Sequence, residues 1–221
     1  MMFEKSLRFL QLLKQNNNRE WYHANKNLYL DAKTEFEQVT EILLHEMQGI
    51  DKSLAGLLPK DCIFRIFRDV RFSKDKSPYK INFGAFLTSG GRKAGNAGYY
   101  LHIQPGGSFI AGGVYMPPAP VLKAVRQEIF EHADEFKGII RSLQEKSKFE
   151  EMFGDKLRSA PKGFPKDFED IDLLKYKSYG LSKSIPDKAF KKEFILQDII
   201  SDFRNLFPLI RFINEAIRQG V

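Results

Sequence analysis

The chain has 221 residues, of which 43% are hydrophobic and 29% are charged, and its formal net charge at pH 7 is +7. This length allows one large domain or two small ones, and the apolar content argues against intrinsic disorder. A sequence pI near 9.3 favours anionic partners such as nucleic acid or acidic small molecules, but a solvated basic surface without a ligand explains it equally well.

Cysteine and histidine usage narrows the chemistry. Cys62 is the only cysteine, so neither an internal disulfide nor a cysteine-rich zinc site can form, and a reducing, cytoplasmic setting is expected. The four histidines are too scattered for the usual zinc spacings, and we expect neither a metal nor a cofactor. No window approaches 18 uncharged apolar residues, so we expect no membrane span and no membrane partner.

The N-terminal part, residues 1–50, is predicted to be helical. Apolar residues recur at helical spacing across Phe3–Leu13, which indicates an amphipathic helix rather than a signal peptide. The run Asn16–Asn18 ends this helix. One of these asparagines is expected to cap a second helix, which runs from about Arg19 to about Met47.

Residues 62–116 are predicted to form an antiparallel meander. Cys62–Phe67 has apolar residues at both parities, as in a strand that is buried on both faces. Apolar and more polar residues alternate across Ile81–Thr88 and again across Tyr99–Gln104, which is typical of strands with one core face. Pro105–Gly107 predicts a hairpin turn, and Phe109–Tyr115 predicts the returning strand.

The C-terminal part, residues 119–221, is predicted to be mainly helical. Helices are expected over Val121–Ala133, about Glu135–Lys146 and Glu193–Arg218, and Pro208 is expected to kink or split the last one. Lys175–Ile185 is expected to add a strand. Since there is no internal repeat and no clear linker, residues 1–221 are predicted to be a single α+β domain, an antiparallel meander of about five strands flanked by helices.

The segment Arg65–Lys80, RIFRDVRFSKDKSPYK, is the most basic stretch of the chain, with six bases against two acids and a local net charge of +4. Its bases alternate with apolar residues, so we expect a folded strand and turn that presents cationic groups to a phosphate or a carboxylate. The alternative is a structural Arg–Asp network that holds this connection in place. The predicted ligand-binding residues are Arg65, Arg68, Arg71, Lys76 and Lys80.

Three functions remain open. The leading hypothesis is an anion-binding protein whose ligand is a phosphorylated small molecule or a nucleotide. The second is a nucleic-acid-binding module, and the third is a structural or interaction protein that binds no ligand. The sequence does not decide whether the protein is an enzyme. The candidates for proton transfer are Asp69, Tyr79 and His102.

His102 shares strand parity with Tyr100 and Gln104, and Lys80 shares parity with Asn82 on the neighbouring predicted strand. If these two faces coincide, the side chains converge. The alternative is a polar, solvated sheet face whose histidine is hydrogen-bonded.

Two motifs together resemble one protein family. NNNREWYHANKNLY (Asn16–Tyr29) and RIFRDVRFSKDKSPYK (Arg65–Lys80) resemble the signatures of the bacterial domain of unknown function 2461 family, with Tyr22 where phenylalanine is usual. Three shorter pieces also fit: Gly98–Tyr100, Gly112–Gly113 and Leu206–Pro208. The resemblance covers nearly the whole chain and implies a soluble, single-domain protein with an α+β fold. It assigns no activity and no catalytic residue, but it raises the hypothesis that Asn25 and Lys26 lie beside the basic segment.

Overall fold

The computed structural model describes residues 2–220, and residues 1 and 221 of the predicted domain lie outside the described residues. The helices are α1 (Glu4–Gln15), α2 (Arg19–Ala24), α3 (Lys26–Gln48), α4 (Pro59–Cys62), α5 (Ala119–Glu131), α6 (Ala133–Ser147), α7 (Ile171–Leu174) and α8 (Ile195–Gly220). The strands are β1 (Phe83–Thr88), β2 (Gly98–Ile103), β3 (Ser108–Val114) and β4 (Tyr179–Ile185). Within residues 2–220, no helix is both long enough and apolar enough to cross a bilayer.

The four strands form one antiparallel sheet in the order β1-β2-β3-β4, so the predicted meander and the α+β class are confirmed. The predicted turn at Pro105–Gly107 is closed by a hydrogen bond of 2.9 Å from the Gly107 amide to the Gln104 carbonyl. The fourth strand comes from the segment Lys175–Ile185, after a long excursion through three helices. The sheet is therefore built from local hairpins and one distant strand.

The sheet has four strands rather than about five, because Cys62–Phe67 does not form the regular strand that was predicted. The short helix α4 begins at Pro59 and includes Cys62, so the chain emerges from a helical turn at this point. Ile63 then forms an isolated bridge opposite Ala85 of β1. An irregular segment therefore lies along the edge of β1 that faces away from β2.

The predicted long helices are present, although the second of them is divided in two. The predicted cap is confirmed, because the Asn18 side chain accepts a hydrogen bond of 2.9 Å from the Trp21 amide. The predicted second helix is divided at Asn25, whose amide N–H and side chain both donate to the Trp21 carbonyl. The last helix, α8, continues through Pro208, so of the two predicted effects of this proline the split does not occur.

The helices α3 and α8 pack against one face of the sheet, which we call the inner face. On this face the Leu206 side chain fills the space above Gly112, where an added Cβ would lie 2.7 Å from it. The rings of Tyr99 and Phe203 are 5.4 Å apart in the same layer. The inner face is made of buried apolar side chains: Phe83, Ala85, Leu87, Tyr99, Leu101, Ile103 and Ile110.

The opposite face of the sheet, which we call the outer face, carries a different set of side chains, most of them half-buried. The strand register places the same-face neighbours in rows, because directly opposed residues of antiparallel strands point the same way. The outer face is therefore a mixed aromatic and polar surface: Gly84, Phe86, Tyr100, His102, Phe109, Ala111, Ser182 and Ser184.

Candidate anion-binding site

The Arg65–Lys80 segment folds into an irregular antiparallel hairpin beside β1. Its two arms are joined by hydrogen bonds from the Lys80 amide to the Ile66 carbonyl (2.8 Å) and from the Arg68 amide to the Pro78 carbonyl (3.0 Å). Residues 69–77 form the turn between the arms, which we call the basic loop. The predicted ligand-binding bases are thus divided between the arms and the basic loop.

Arg68 closes the basic loop from one end. Its guanidinium pairs with Asp75 and donates a hydrogen bond of 3.3 Å to the Ser73 hydroxyl. Asp75 also accepts from the amide (2.9 Å) and the hydroxyl (2.6 Å) of Ser77. Hydrogen bonds from Ser77, and then from Arg68, hold the pKa of Asp75 well below its usual range. The charge of Arg68 is therefore already paired with a residue of the basic loop.

Arg71 and Lys76 are exposed and also have partners inside the basic loop. Arg71 forms a two-pronged pair with Asp69, at 3.0 Å from Nε and 2.7 Å from Nη2, and these bonds lower the pKa of Asp69. Lys76 Nζ donates to the Val70 carbonyl at 3.0 Å. Exposed ion pairs contribute little to stability, so Arg71 can exchange Asp69 for a ligand, and among residues 2–220 Lys76 has no ion pair to break.

Arg65 and Lys80 differ from the bases of the basic loop. Among residues 2–220, neither has a carboxylate partner. Lys80 is half-buried, with Nζ over the Phe64 ring at 5.6 Å from its centroid. Burial, and second the positive charge of Arg65, lower the pKa of Lys80. Lys74 also has no partner among residues 2–220, but it is exposed, so Lys80 is the half-buried unpaired cation of the segment.

Tyr79, a predicted candidate for proton transfer, lies where the two sequence motifs meet. The Asn17 side chain forms two hydrogen bonds with the Tyr79 backbone: it donates to the carbonyl (3.0 Å) and accepts from the amide (3.2 Å). The Tyr22 ring stacks on the Tyr79 ring at 4.2 Å between centroids. Tyr79 is 3% exposed, and burial raises its pKa. It is Asn17 and Tyr22 of the first motif that contact the basic segment, whereas the Asn25 side chain bonds within its own helix.

His102 is the centre of a hydrogen-bonded chain on the outer face. Tyr100 Oη lies 3.0 Å from His102 Nδ1, and His102 Nε2 lies 3.2 Å from Gln104 Oε1. Because an amide oxygen only accepts, Nε2 carries the proton, and Nδ1 accepts from the Tyr100 hydroxyl. Burial lowers the pKa of His102 and raises the pKa of Tyr100 to about 12. The imidazole is therefore neutral at pH 7, with one defined tautomer.

The rings of the outer face are continuous with Lys80. Phe64 is edge-on to Tyr100 at 6.2 Å between centroids, Tyr100 is 5.7 Å from Phe109, and His102 stacks on Phe109 at 4.6 Å and 17°. We call Phe64, Tyr100, His102 and Phe109 the aromatic row. Parity along the chain predicted that Tyr100 and His102 share a face, but it did not predict the contribution of Phe64 or Phe109.

The far end of the aromatic row opens into a cleft of about 570 Å³ beside Phe109. Glu150 lies in this cleft, where its carboxylate accepts from the amide (3.2 Å) and the hydroxyl (2.6 Å) of Ser184. The outer face therefore has a basic end at Arg65 and Lys80 and an acidic end at Glu150.

Other reactive groups lie outside the basic segment. Within residues 2–220, potential ligand atoms of Glu128, Glu131 and His132 lie within 4.8 Å of one another at the junction of α5 and α6. Two of these side chains are exposed, and exposed acidic groups of this kind are common. Cys62 is buried, and burial raises the pKa of its thiol to about 11, so it is protonated at neutral pH.

Comparison with known protein families places this chain in one of them. The model of the family described as "Conserved hypothetical protein (DUF2461)" matches residues 5–212, which is most of the chain. The chain belongs to this family. No curated protein and no solved structure matches it. Both DUF2461 motifs seen in the sequence lie inside the matched range, and the family description names no activity, so any functional proposal depends on the geometry of the site.

Proposed function

We propose that this protein binds a small anionic ligand, bearing a phosphate or a carboxylate, at Arg65 and Lys80. The observation that carries the proposal is the half-buried ammonium of Lys80, which lies over the Phe64 ring at 5.6 Å and has no carboxylate partner among residues 2–220. The exposed guanidinium of Arg65 is the second cation of the proposed site. Arg68 and the basic-loop residues Arg71 and Lys76 add to the positive potential, although each already has a partner within residues 69–77.

The energetics of this pair favour an anion. A partly desolvated ammonium near a second cation is unfavourable. An anion that binds both cations offsets their repulsion and accepts the hydrogen bonds that the ammonium otherwise lacks. The guanidinium offers a planar fork that matches a phosphate or carboxylate, and the ammonium adds a point charge. Ligand binding should therefore be accompanied by a rise in the pKa of Lys80.

The three candidates for proton transfer differ in what their surroundings allow. Asp69 is an ionised, exposed partner of Arg71, and Tyr79 is a buried, stacked phenol. His102 is a neutral base with a defined tautomer on the outer face, so it is the best placed of the three. The proposal itself is limited to binding.

A thermal-shift titration at low ionic strength tests this function. The panel contains inorganic phosphate, pyrophosphate, ribose 5-phosphate and citrate. An anion present at 100 times its Kd should stabilise the fold by about 2.7 kcal/mol. For a chain of this length that corresponds to a rise in Tm of about 5–10 °C.

Variants locate the binding. Lys80→Met should abolish the rise in Tm, and Arg65→Gln should reduce it, because each removes one of the two cations of the proposed site. Lys123→Met removes one positive charge from an exposed position on α5 and should leave the shift unchanged. Melting of each variant without ligand separates lost binding from lost stability. If no anion of the panel stabilises the wild type, or if Lys123→Met removes the shift as Lys80→Met does, the proposal is wrong.

A further inference from the structure

The aromatic row leads away from the proposed anion site across the outer face. Phe64 lies beneath Lys80 Nζ, and its amide donates a hydrogen bond of 2.9 Å to the Gly84 carbonyl of β1. Gly84 is directly opposite His102 on β2, and His102 is directly opposite Phe109 on β3. Phe64, His102 and Phe109 therefore belong to one cross-strand row of the sheet, and Tyr100 stands in the adjacent row.

Gly84 makes this row continuous. A Cβ at residue 84 would lie 2.7 Å from Tyr100 Oη and 3.2 Å from a carbon of its ring. Gly84 does not have a positive φ, so its backbone conformation is open to any residue. What glycine provides is room for the Tyr100 ring, which leans over β1 and fills the gap between Phe64 and Phe109.

The length of the row indicates the size of ligand that it suits. Phe64 and Phe109 stand on chain segments three ladder spacings apart, which is about 14 Å at about 4.8 Å per spacing. A bare phosphate at Lys80 leaves all of this surface unused. A ligand with a phosphate at one end and a planar ring at the other covers it.

The chemistry of the row indicates which ring. Half-buried aromatic side chains on an open antiparallel sheet are the arrangement on which proteins stack unpaired bases. Every nucleobase offers a planar face for stacking. The phosphate of a nucleotide supplies the negative charge that would balance Arg65 and Lys80. Glu150 at the opposite end of the row disfavours a second anionic group there.

We propose that the ligand is a nucleobase-bearing phosphate, whose phosphate lies at Arg65 and Lys80 and whose base packs against Tyr100 and the face of the Phe109 ring that His102 does not cover. This proposal rests on the anion-binding function proposed above and adds the stacking site. A free nucleotide and a single-stranded nucleic acid present the same chemistry, and the experiment distinguishes them.

Isothermal titration with ribose 5-phosphate, adenosine 5′-monophosphate and a single-stranded hexathymidylate tests the proposal. Stacking of one base is worth a factor of about 5–150 in affinity, so the wild type should bind the nucleotide more tightly than the sugar phosphate by this factor. Phe109→Leu should reduce the advantage to less than about threefold and leave ribose 5-phosphate binding unchanged. Gly84→Ala should act in the same direction by displacing the Tyr100 ring.

Phe194→Leu, the same substitution at a phenylalanine that is 61% exposed before α8, is the matched control and should change nothing. If the hexamer binds more tightly than the nucleotide and loses affinity steeply with salt, the source is a nucleic acid strand, and otherwise it is a free nucleotide. Equal binding of nucleotide and sugar phosphate overturns the stacking site and leaves the anion function standing. Failure of all three ligands overturns both proposals.

Discussion

Replacing Tyr99 by phenylalanine tests how the inner face of the sheet is joined to the N-terminal half of the chain. The Tyr99 side chain is fully buried, and its hydroxyl donates a hydrogen bond of 3.0 Å to Asp51 Oδ2. The other oxygen, Asp51 Oδ1, accepts from the amide (3.1 Å) and the hydroxyl (2.6 Å) of Ser53. Tyr99→Phe therefore leaves Oδ2 of a 6%-exposed carboxyl group without its partner.

The expected loss follows from the charge of the acceptor. A hydrogen bond to a charged group contributes about 1.5–3 kcal/mol, and removal of the donor alone leaves the acceptor buried. In a chain of this length, 1 kcal/mol shifts Tm by about 2–4 °C. Tyr99→Phe should therefore lower Tm by about 3–12 °C at pH 7.

The same substitution has a pH signature. Burial, and then the charge of Asp51, raise the pKa of Tyr99 well above its usual value of 10.0. A raised folded-state pKa contributes stability that is fully present below pH 10 and is lost as the pH rises, because the unfolded chain releases the proton first. At pH 11 the wild type has lost about 1.4 kcal/mol through Tyr99, and Tyr99→Phe has lost none of it. The gap between the two proteins should shrink by this amount.

Urea unfolding monitored by circular dichroism at pH 7 and pH 11 measures both effects. Tyr115→Phe, at a tyrosine that is 71% exposed, is the control and should match the wild type at both pH values. The reasoning is refuted if Tyr99→Phe is as stable as the wild type at pH 7. It is also refuted if the gap stays constant or widens at pH 11.

Three further substitutions, at two positions, test a half-buried and a buried polar side chain. Burial lowers the pKa of His102, so the contribution of this side chain to stability is present above about pH 6.5 and is lost as the pH falls. Between pH 7.5 and pH 5.5 the wild type should therefore lose up to about 1.4 kcal/mol relative to His102→Asn. A difference in urea unfolding that does not depend on pH would contradict this. Arg126 is 9% exposed, donates to the Tyr176 carbonyl at 2.9 Å, and has an Nε without a partner among residues 2–220. Arg126→Met should therefore be at least as stable as the wild type. Arg126→Ala should lose about 2 kcal/mol or more, because it leaves a cavity. A Tm of Arg126→Met below that of the wild type would show that the fold needs the guanidinium.

Local signals in the sequence were sufficient for most of the fold. The alternation at Phe83, Ala85 and Leu87 has the period of a strand, and the Pro105–Gly107 turn joins two such runs, so the central hairpins were predictable. The conformation of Cys62–Phe67 was not predictable in this way. Its apolar pattern is that of a strand, but its pairing with β1 stops after one bridge. Whether a strand continues depends on what lies beside it, and the sequence does not specify that.

The site was predicted in composition but not in arrangement. The sequence identified the basic segment, yet the partners of Arg68 and Arg71 depend on how residues 69–77 turn, and a density of charge does not show which bases remain unpaired. The aromatic row required the register of three strands and the approach of Phe64 to Gly84 across 20 positions of sequence. Parity places two residues of one strand on the same face, but it cannot align separate strands.

The two family motifs are best understood as parts of one structure. Lys80, the half-buried cation of the proposed site, directly follows the residue whose peptide Asn17 clamps through both its carbonyl and its amide. The Tyr22 ring packs on the same residue, so the first motif fixes the position from which the Lys80 side chain extends over Phe64. A cation that must be held partly desolvated needs a rigid backbone behind it, because a mobile arm would let it reach water. On this reasoning the first motif positions the ligand-binding residues of the second without contacting the ligand.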